Sequence, residues 1–291
     1  MNIQWKMHPH ESIKGKQFNS RLSRNDQQAI LTLELHLLLE QIDPGITFDS
    51  DGKMFLTEKW NSHDWTRFCT TIQSESSAHW SGKFWLVPPD SALSFMYVNQ
   101  LGETWRVNVE CNLKIFLTTT KGHTRVRVAH LGQPGSIVDR FNQARDDSFF
   151  RSASHLYSNH DISPLEPSQP PRRGSRSSGS PGRTQRTHVH EVGHAIGQPH
   201  IGVMTSNVES RLKCLYHALF KNPLEGKNTK ICYGATTDER KNTMGAGEVM
   251  TVENADPWKK RILHHAPWFA PGSWGGPWAV KTTPQPRTRV A

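Results

Sequence analysis

Apolar and polar residues alternate most regularly between Trp105 and Ile115. Positions 105, 107, 109, 111, 113 and 115 are apolar, and the residues between them are polar or charged. This period of two predicts a strand with one buried face. A turn at Lys121-Gly122 followed by the alternation from Arg125 to Val128 predicts a partner strand, and Phe84 to Val87 predicts a further short strand.

Two periodicities overlap between Asp26 and Ile42. Apolar residues at positions 30, 33, 37 and 38 have helical spacing, and the sequence Asp43-Pro44-Gly45 is a clear stop signal. Leucines at positions 31, 33, 35 and 37 also alternate as they would in a strand. We favour a helix here and keep the strand as the alternative.

Residues 190 to 200, with the sequence HEVGHAIGQPH, contain the most specific pattern in the chain. On a helix, His190 and His194 are four residues apart, so their imidazoles project from one face. Glu191 lies beside them, in reach of a water molecule on a metal. Gly197 can end the helix in the left-handed conformation and bring His200 back as a third ligand. Three protein ligands leave one tetrahedral position open, as in catalytic zinc sites.

The pattern H-E-x-x-H-x-x-G-x-x-H resembles the zinc signature of metzincin metallopeptidases. This resemblance implies an α+β fold in which helices back a twisted mixed sheet. The zinc helix would lie at the cleft, and a mostly helical or irregular C-terminal subdomain would follow. The resemblance also implies a zinc-dependent endopeptidase with one catalytic Zn²⁺ bound by His190, His194 and His200. Glu191 would be the general base, and a protein or peptide would be the substrate.

Metzincins also carry a methionine in a tight turn beneath the zinc, and two methionines compete for this role. Met204 follows the third histidine by only four residues, whereas Met244 lies in a Gly-rich turn (KNTMGAG) after a longer insertion. We prefer Met244, and an ordinary core methionine is the alternative. Some metzincins have a tyrosine two residues after this methionine, but this chain has Ala246 there. Tyr216 and Tyr233 remain as candidates to replace it.

The stretch from Thr251 to His265 resembles the C-terminal helix in metallopeptidase domains of bacterial secretion effectors. Thr251 is a suitable N-cap, and Pro257 fits the first turn if the helix begins at about Asp256. The whole resemblance covers about residues 187–266. It implies a secreted bacterial effector or toxin, with a secretion apparatus and an immunity or chaperone protein as partners.

Composition indicates a core with polar additions. Of the 291 residues 35% are hydrophobic, and the mean hydropathy of −0.64 is low for one compact globule. Composition therefore predicts polar extensions, here a polar N-terminal lead and a tail rich in Trp, Pro and Gly, and the resemblance implies a metallopeptidase domain with two subdomains between them. Their boundaries are 1–22 for the lead, 23–266 for the domain (subdomains 23–200 and 201–266), and 267–291 for the tail.

Residues 161–186, rich in proline, glycine, serine and arginine, predict a disordered loop directly before the zinc helix. An active-site lid, a self-cleavage segment and a solvated insertion are all open interpretations. The arginines of this loop and the net charge of +9 also raise the hypothesis of phosphate binding. The loop lacks interleaved aromatic residues and the chain has no recognised nucleic-acid module, so we do not expect a nucleic-acid partner.

Two other functions use the same residues differently. A zinc amidase would hydrolyse cell-wall peptides with the same water chemistry. A non-enzymatic basic binding protein would keep a structural zinc and would not depend on Glu191.

The compartment stays open at this stage. No run of the sequence is long enough for a membrane span, and the first 16 residues lack the apolar core of a signal peptide. We expect a cytoplasmic protein or export by a route that needs no signal peptide. Cys214 and Cys232 flank the insertion before Met244, and a disulfide and two buried thiols are both compatible with that spacing.

Overall fold

A computed structural model of the chain describes residues 10–24, 28–144, 152–162, 185–221, 223, 226–265 and 278–290. The fold is α+β, with a mixed sheet and several helices, as the sequence predicted. The strands are β1 (His10–Ile13), β2 (Asn19–Arg24), β3 (Ala29–Gln41), β4 (Gly45–Phe48), β5 (Met54–Thr57), β6 (Trp85–Val87), β7 (Met96–Val98), β8 (Thr104–Val107), β9 (Val109–Thr118), β10 (Thr124–Ala129), β11 (Leu156–Ser158), β12 (Ala279–Lys281) and β13 (Arg287–Arg289). The α-helices are α1 (Ser62–Trp80), α2 (Ile137–Ala144), α3 (Thr187–Ala195), α4 (Ile201–Met204), α5 (Val208–Tyr216), α6 (Thr237–Lys241) and α7 (Asp256–His265).

The chain forms two compact units from interleaved segments. The first unit contains residues 1–35, 77–115 and 251–291, and the second contains residues 36–76 and 116–250. The subdomain border that we predicted at residue 200 therefore lies inside the second unit. Most of the loop predicted for 161–186 falls outside the described residues. None of the helices in the described ranges is long and apolar enough to cross a membrane.

The first unit is built on a sheet with the order β1-β2-β3-β9-β6-β12. The strand predicted between Trp105 and Ile115 is present but divides at Asn108 into β8 and β9. Asn108 is fully buried, and its side-chain amide donates hydrogen bonds to the Gln285 carbonyl and to the Thr288 hydroxyl. These bonds, together with the bond from the Asn108 N–H to the Pro286 carbonyl, hold the chain at the break, where it leaves the three-stranded sheet β13-β8-β7 and enters the main sheet.

Both ends of the described chain also contribute strands to the first unit. β1 and the first four residues of β2 lie within the segment predicted as a polar lead, and the two strands pair antiparallel. β12, from the predicted tail, pairs antiparallel with β6. At the end of this unit, α7 begins at Asp256 with Pro257 in its first turn, as predicted, and a 3-10 turn (Val252–Ala255) precedes it. Thr251 is the N-cap residue of that turn, and its backbone N–H donates to the Asn254 side chain at 2.9 Å.

The helix favoured between Asp26 and Ile42 is wrong, because this segment is the long strand β3. The four alternating leucines of the other interpretation are all fully buried, at positions 31, 33, 35 and 37. The polar residues between them, such as Thr32 and Glu34, are only half-buried. Burial of one face of a central strand therefore outweighs the weaker helical spacing.

In the second unit, the C-terminal half of β3 pairs in parallel with β10, and β10 pairs in parallel with β11. The strand predicted near Arg125 is present as β10, but the predicted pairing with the strand from Trp105 to Ile115 is wrong, because the partners of β10 are β3 and β11. A small apolar core formed by Ile42, Phe55, Ala129, Leu131 and Leu156 lies at this end of the strands. β11 leads into a 3-10 turn (Asn159–Ile162), which contacts α3, the helix that carries the histidine motif.

Candidate metal centre

The motif lies on α3, and the helix ends where the sequence predicted. Gly197 has a φ of 89°, the left-handed conformation that glycine adopts without a Cβ clash. The N–H of Gly197 donates to the His194 carbonyl, and the N–H of Gln198 donates to the Gly193 carbonyl, both at 2.9 Å. This pair of bonds is a Schellman motif, which satisfies the last carbonyls of the helix and reverses the chain.

The turn brings the three predicted ligands together. The candidate ligand atoms of His190, His194 and His200 lie within 4.8 Å of one another. His190 and His200 are buried, and His194 is half-buried. Val192 and Ile196, on the same helix, are buried in the core and anchor it. The described residues therefore contain a three-histidine group that could hold a metal ion.

Each of the three rings is oriented by a backbone carbonyl. A carbonyl oxygen only accepts hydrogen bonds, so we assign the proton of each neutral ring to Nδ1, which leaves Nε2 with a lone pair. This is the arrangement that metal-binding histidines need. The three donors and acceptors are His190 Nδ1 to Thr243 O at 2.7 Å, His194 Nδ1 to Gln198 O at 2.7 Å, and His200 Nδ1 to Lys227 O at 2.9 Å.

The distance between two of the Nε2 atoms tests whether an ion fits. His194 Nε2 and His200 Nε2 are 3.1 Å apart. With both protons on Nδ1, no hydrogen lies between these atoms, so two lone pairs face each other. Two nitrogen ligands of a tetrahedral zinc ion, each about 2.0–2.1 Å from the metal, lie about 3.3 Å apart. The observed spacing therefore suits a shared cation, and neutral imidazoles are donors that suit Zn²⁺ and other first-row transition metals.

Burial favours the neutral form of two of the candidate ligand rings, those of His194 and His200. Burial, together with the neighbouring His194, lowers the pKa of His200 to about 4. Burial also lowers the pKa of His194. Neutral rings are the form that coordinates metals, so both ligands are in the binding state at neutral pH without any conformational change.

Glu191, the predicted general base, is a buried carboxyl group. Burial and, as a smaller cause, the negative charge of Asp161 together raise its pKa to about 8. Burial likewise raises the pKa of Asp161 to about 6. A divalent cation bound by the adjacent histidines would offset this cost and return Glu191 to the carboxylate that accepts protons.

Two of the groups around Glu191 were not identified from the sequence. Tyr157, on β11, is fully buried, and its hydroxyl has no hydrogen-bond partner within the part of the chain that the structure describes. Burial raises the pKa of Tyr157 well above its ordinary value, and the charges of Glu191 and Asp161 add to this effect. No local motif marks either Tyr157 or Asp161, because both reach this region through the parallel pairing of β10 and β11.

The turn around Met244 lies against two of the ligands. Met244 is fully buried, and its carbonyl accepts from the N–H of Ile201, the residue after His200. The neighbouring Thr243 carbonyl orients His190. The other candidate, Met204, is half-buried in α4.

Gln185 connects this turn to the start of the metal-binding helix, and sequence analysis missed it. Its Nε2 donates to the Thr243 carbonyl at 2.7 Å and lies 3.4 Å from the Gly245 carbonyl. The same Nε2 is 2.9 Å from His190 Nδ1. Gln185 therefore holds the carbonyl that orients His190, although it lies outside the motif.

Of the two tyrosines considered as replacements for the missing turn tyrosine, the structure brings one to the histidines. The Tyr233 ring lies 3.8 Å from the His200 ring and 5.8 Å from the His190 ring, measured between centroids. Tyr216 is half exposed on α5 and stacks near Phe220. Ala246 is in the turn itself.

The cysteines that flank the insertion form a disulfide. Cys214 and Cys232 are bonded, with their Cα atoms 4.7 Å apart, whereas Cys69 and Cys111 are free thiols. Both bonded cysteines are fully buried. The two interpretations left open by the spacing are thus decided in favour of the disulfide.

Comparison of the chain with known protein families, with curated proteins and with solved structures returned no match. The assignment of the site therefore depends on its geometry and its donor chemistry.

Proposed function

We propose that this chain is a metzincin-like, zinc-dependent endopeptidase in which His190, His194 and His200 bind the ion. The observation that carries the proposal is the orientation of the three rings. Each donates its Nδ1 proton to a backbone carbonyl, so three Nε2 lone pairs are available beside a buried acid. Three ligands leave a fourth position for water and substrate.

The chemistry follows from these groups. When bound, zinc supplies a Lewis acid that polarises the scissile carbonyl and makes water more acidic. The Glu191 carboxylate accepts a proton from the attacking water and then delivers it to the leaving amine nitrogen. The buried position of Glu191 keeps competing water away from this proton.

Met244 and Tyr233 support the same proposal in different ways. The Met244 turn supplies the carbonyl that holds the residue after His200, and its neighbour Thr243 orients His190. The Tyr233 hydroxyl is on a ring that packs on His200, so Tyr233 is our candidate for the group that assists the developing oxyanion. A bacterial effector or toxin is the biological setting that the resemblance of residues 187–266 supports.

Cleavage of a diverse peptide library by wild type and Glu191→Ala, followed by mass spectrometry, tests the proposal. We expect Glu191→Ala to keep its zinc and to cleave about 10²–10⁴-fold more slowly, because only the proton transfer is lost. Equal cleavage by the two proteins would remove Glu191 from its role.

Two further outcomes select the alternatives. Release of cell-wall peptides from peptidoglycan without any protein cleavage would identify an amidase. Stoichiometric zinc with no hydrolysis of either substrate would identify a structural zinc in a binding protein.

A further inference from the structure

The Cys214–Cys232 disulfide joins the end of α5 to a 3-10 turn (Lys230–Tyr233) 18 residues later. The loop that it closes lies in the second unit, as does the metal centre. The proposed chemistry does not use this bond. Its neighbours nevertheless contact one of the three ligands.

His200 is the ligand held by this loop. Its Nδ1 donates to the carbonyl of Lys227, which lies inside the closed loop. Its ring packs on Tyr233, which directly follows Cys232. Both the hydrogen bond that sets the ring tautomer and the stacking contact that fixes the ring plane therefore depend on the position of the loop.

The backbone of Cys232 also packs directly on the helix that follows His200. A Cβ added to Gly202, in α4, would lie 2.7 Å from the Cys232 carbonyl oxygen and 2.9 Å from its Cα. Such a close approach requires glycine. The half-cystine thus supports the ligand in two ways: its own backbone packs on α4, and the next residue, Tyr233, packs on the His200 ring.

The other two ligands are oriented elsewhere. The acceptor for His190 is Thr243, in the Met244 turn, and the acceptor for His194 is Gln198, in the turn after α3. Neither acceptor lies between Cys214 and Cys232. An effect of the disulfide on the metal centre should therefore act mainly through His200.

We propose that the Cys214–Cys232 disulfide is the positioning element for the third ligand, so that the metal centre is complete only in the oxidised protein. The inference rests on the metal centre of the proposed function. It places the working protein in an oxidising compartment, because cytosolic thiols keep such bonds reduced. In the cytosol of the cell that makes the protein, the disulfide would be reduced and metal binding would be weakened.

The chemical change is a two-electron reduction. A dithiol such as dithiothreitol attacks one sulfur, forms a mixed disulfide, and then closes on itself. The sulfurs of Cys214 and Cys232 each gain one electron and one proton, and the reductant leaves as its own cyclic disulfide. The loop from 215 to 231 is then closed only by non-covalent contacts and can move away from His200.

The test is zinc affinity of the full-length protein, measured by competition with a chromogenic chelator in the oxidised and the reduced state. Loss of the groups that orient a metal ligand weakens binding by about 10–100-fold, and we expect that change on reduction. Reoxidation should restore the affinity. Cobalt substituted for zinc gives an absorption spectrum that reports ligand geometry, and we expect this spectrum to change on reduction as well.

Three variants separate positioning from other causes. Cys214→Ser with Cys232→Ser should bind zinc as weakly as reduced wild type and should no longer respond to the reductant. Cys69→Ser with Cys111→Ser removes the two free thiols and should respond as wild type does. His200→Ala should bind weakly and show little redox response, because the ligand through which the loop acts is gone.

Equal zinc affinity in oxidised and reduced wild type would overturn the proposal, as would a full redox response in His200→Ala. If the variant without Cys214 and Cys232 fails to fold, the zinc affinity of wild type before reduction, after reduction and after reoxidation decides the question alone. Tight zinc binding by the oxidised protein without any hydrolysis would refute the peptidase and leave this inference standing. Absence of zinc binding in the oxidised protein would refute both.

Discussion

Each of the two units buries a cluster built around histidine, and the clusters use their ring nitrogens differently. In the first unit, Ser20 Oγ accepts a hydrogen bond from Arg261 Nε at 2.7 Å and lies 2.8 Å from His265 Nε2. The hydroxyl proton is free to satisfy that nitrogen. In the second unit, Nε2 of His194 faces Nε2 of His200.

This difference separates a structural histidine from a metal ligand. A ring nitrogen that a hydroxyl already satisfies adds to the packing and has no lone pair left for a metal. Two Nε2 atoms that face each other, with both Nδ1 protons assigned to carbonyls, offer two lone pairs that a cation could share. Burial alone does not distinguish these cases, because His265 and His200 are almost equally buried.

Removing one histidine from each cluster gives the largest contrast. We expect His194→Ala to lose both tight zinc binding and cleavage, because only two ligands remain. We expect His265→Ala to keep one zinc per chain, while the free energy of unfolding falls by about 1–3 kcal/mol through loss of a buried hydrogen bond. Zinc content after dialysis and urea unfolding measure the two effects. Full zinc retention in His194→Ala would remove that residue from the ligand set.

The next largest expected effect is the pH dependence of stability that comes from His200. It is measured on metal-free protein with a chelator present. The ordinary pKa of 6.5 is lowered to about 4 in the folded state. Above pH 6.5 this residue costs no stability. As the pH falls toward 4, the unfolded chain binds a proton that the folded protein does not. The free energy of unfolding therefore falls by about 3 kcal/mol.

A variant separates the contribution of His200 from that of Glu191. The raised pKa of Glu191 has the opposite effect on stability over part of the same pH range. Urea unfolding of wild type and His200→Gln should diverge between pH 6.5 and 4, with wild type losing more stability. Parallel pH profiles for the two proteins would contradict a lowered pKa at His200.

Loss of Gln185 should weaken zinc binding less than loss of a ligand. Gln185→Ala removes the donor that holds the Thr243 carbonyl against His190, so we expect zinc affinity to fall about 10–100-fold. Gln143, whose amide donates to the Asp139 carboxylate on α2, provides the control. Gln143→Ala should leave zinc affinity unchanged. A similar loss in both variants would mean that the effect is general destabilisation.

Gly197→Ala should have the smallest effect. An alanine at a φ of 89° costs about 1–2 kcal/mol, and the strain falls on the turn that brings His200 to the other ligands. Gly135 has a φ of 81°, and a Cβ there would meet nothing within 4 Å. Gly135→Ala should lower the unfolding free energy similarly but leave zinc affinity intact. Competition titration with a chelator would show whether only Gly197→Ala weakens zinc binding.

Local patterns predicted much of the fold and failed where two periods overlapped. The turn before β10, the end of α3 at Gly197 and the start of α7 at Asp256 follow from short-range preferences of glycine, proline and capping residues. The segment of β3 satisfied both a helical and a strand pattern, and its partners on the two sides decided for the strand. Those partners, β2, β9 and β10, are not visible from the segment itself.

What the sequence by itself determined is the identity of the three histidines, the adjacent acid and the glycine turn. Their relative placement depends on the pitch of one helix and on one left-handed residue, both of which are local. Only the tertiary structure decided how the rings are oriented, because the acceptors for His190 and His200 lie 53 and 27 residues away in the chain. It also decided that Cys214 pairs with Cys232, and that Gln185 and Tyr233 contact the ligands. Such contacts form when distant segments pack, and no local preference encodes them.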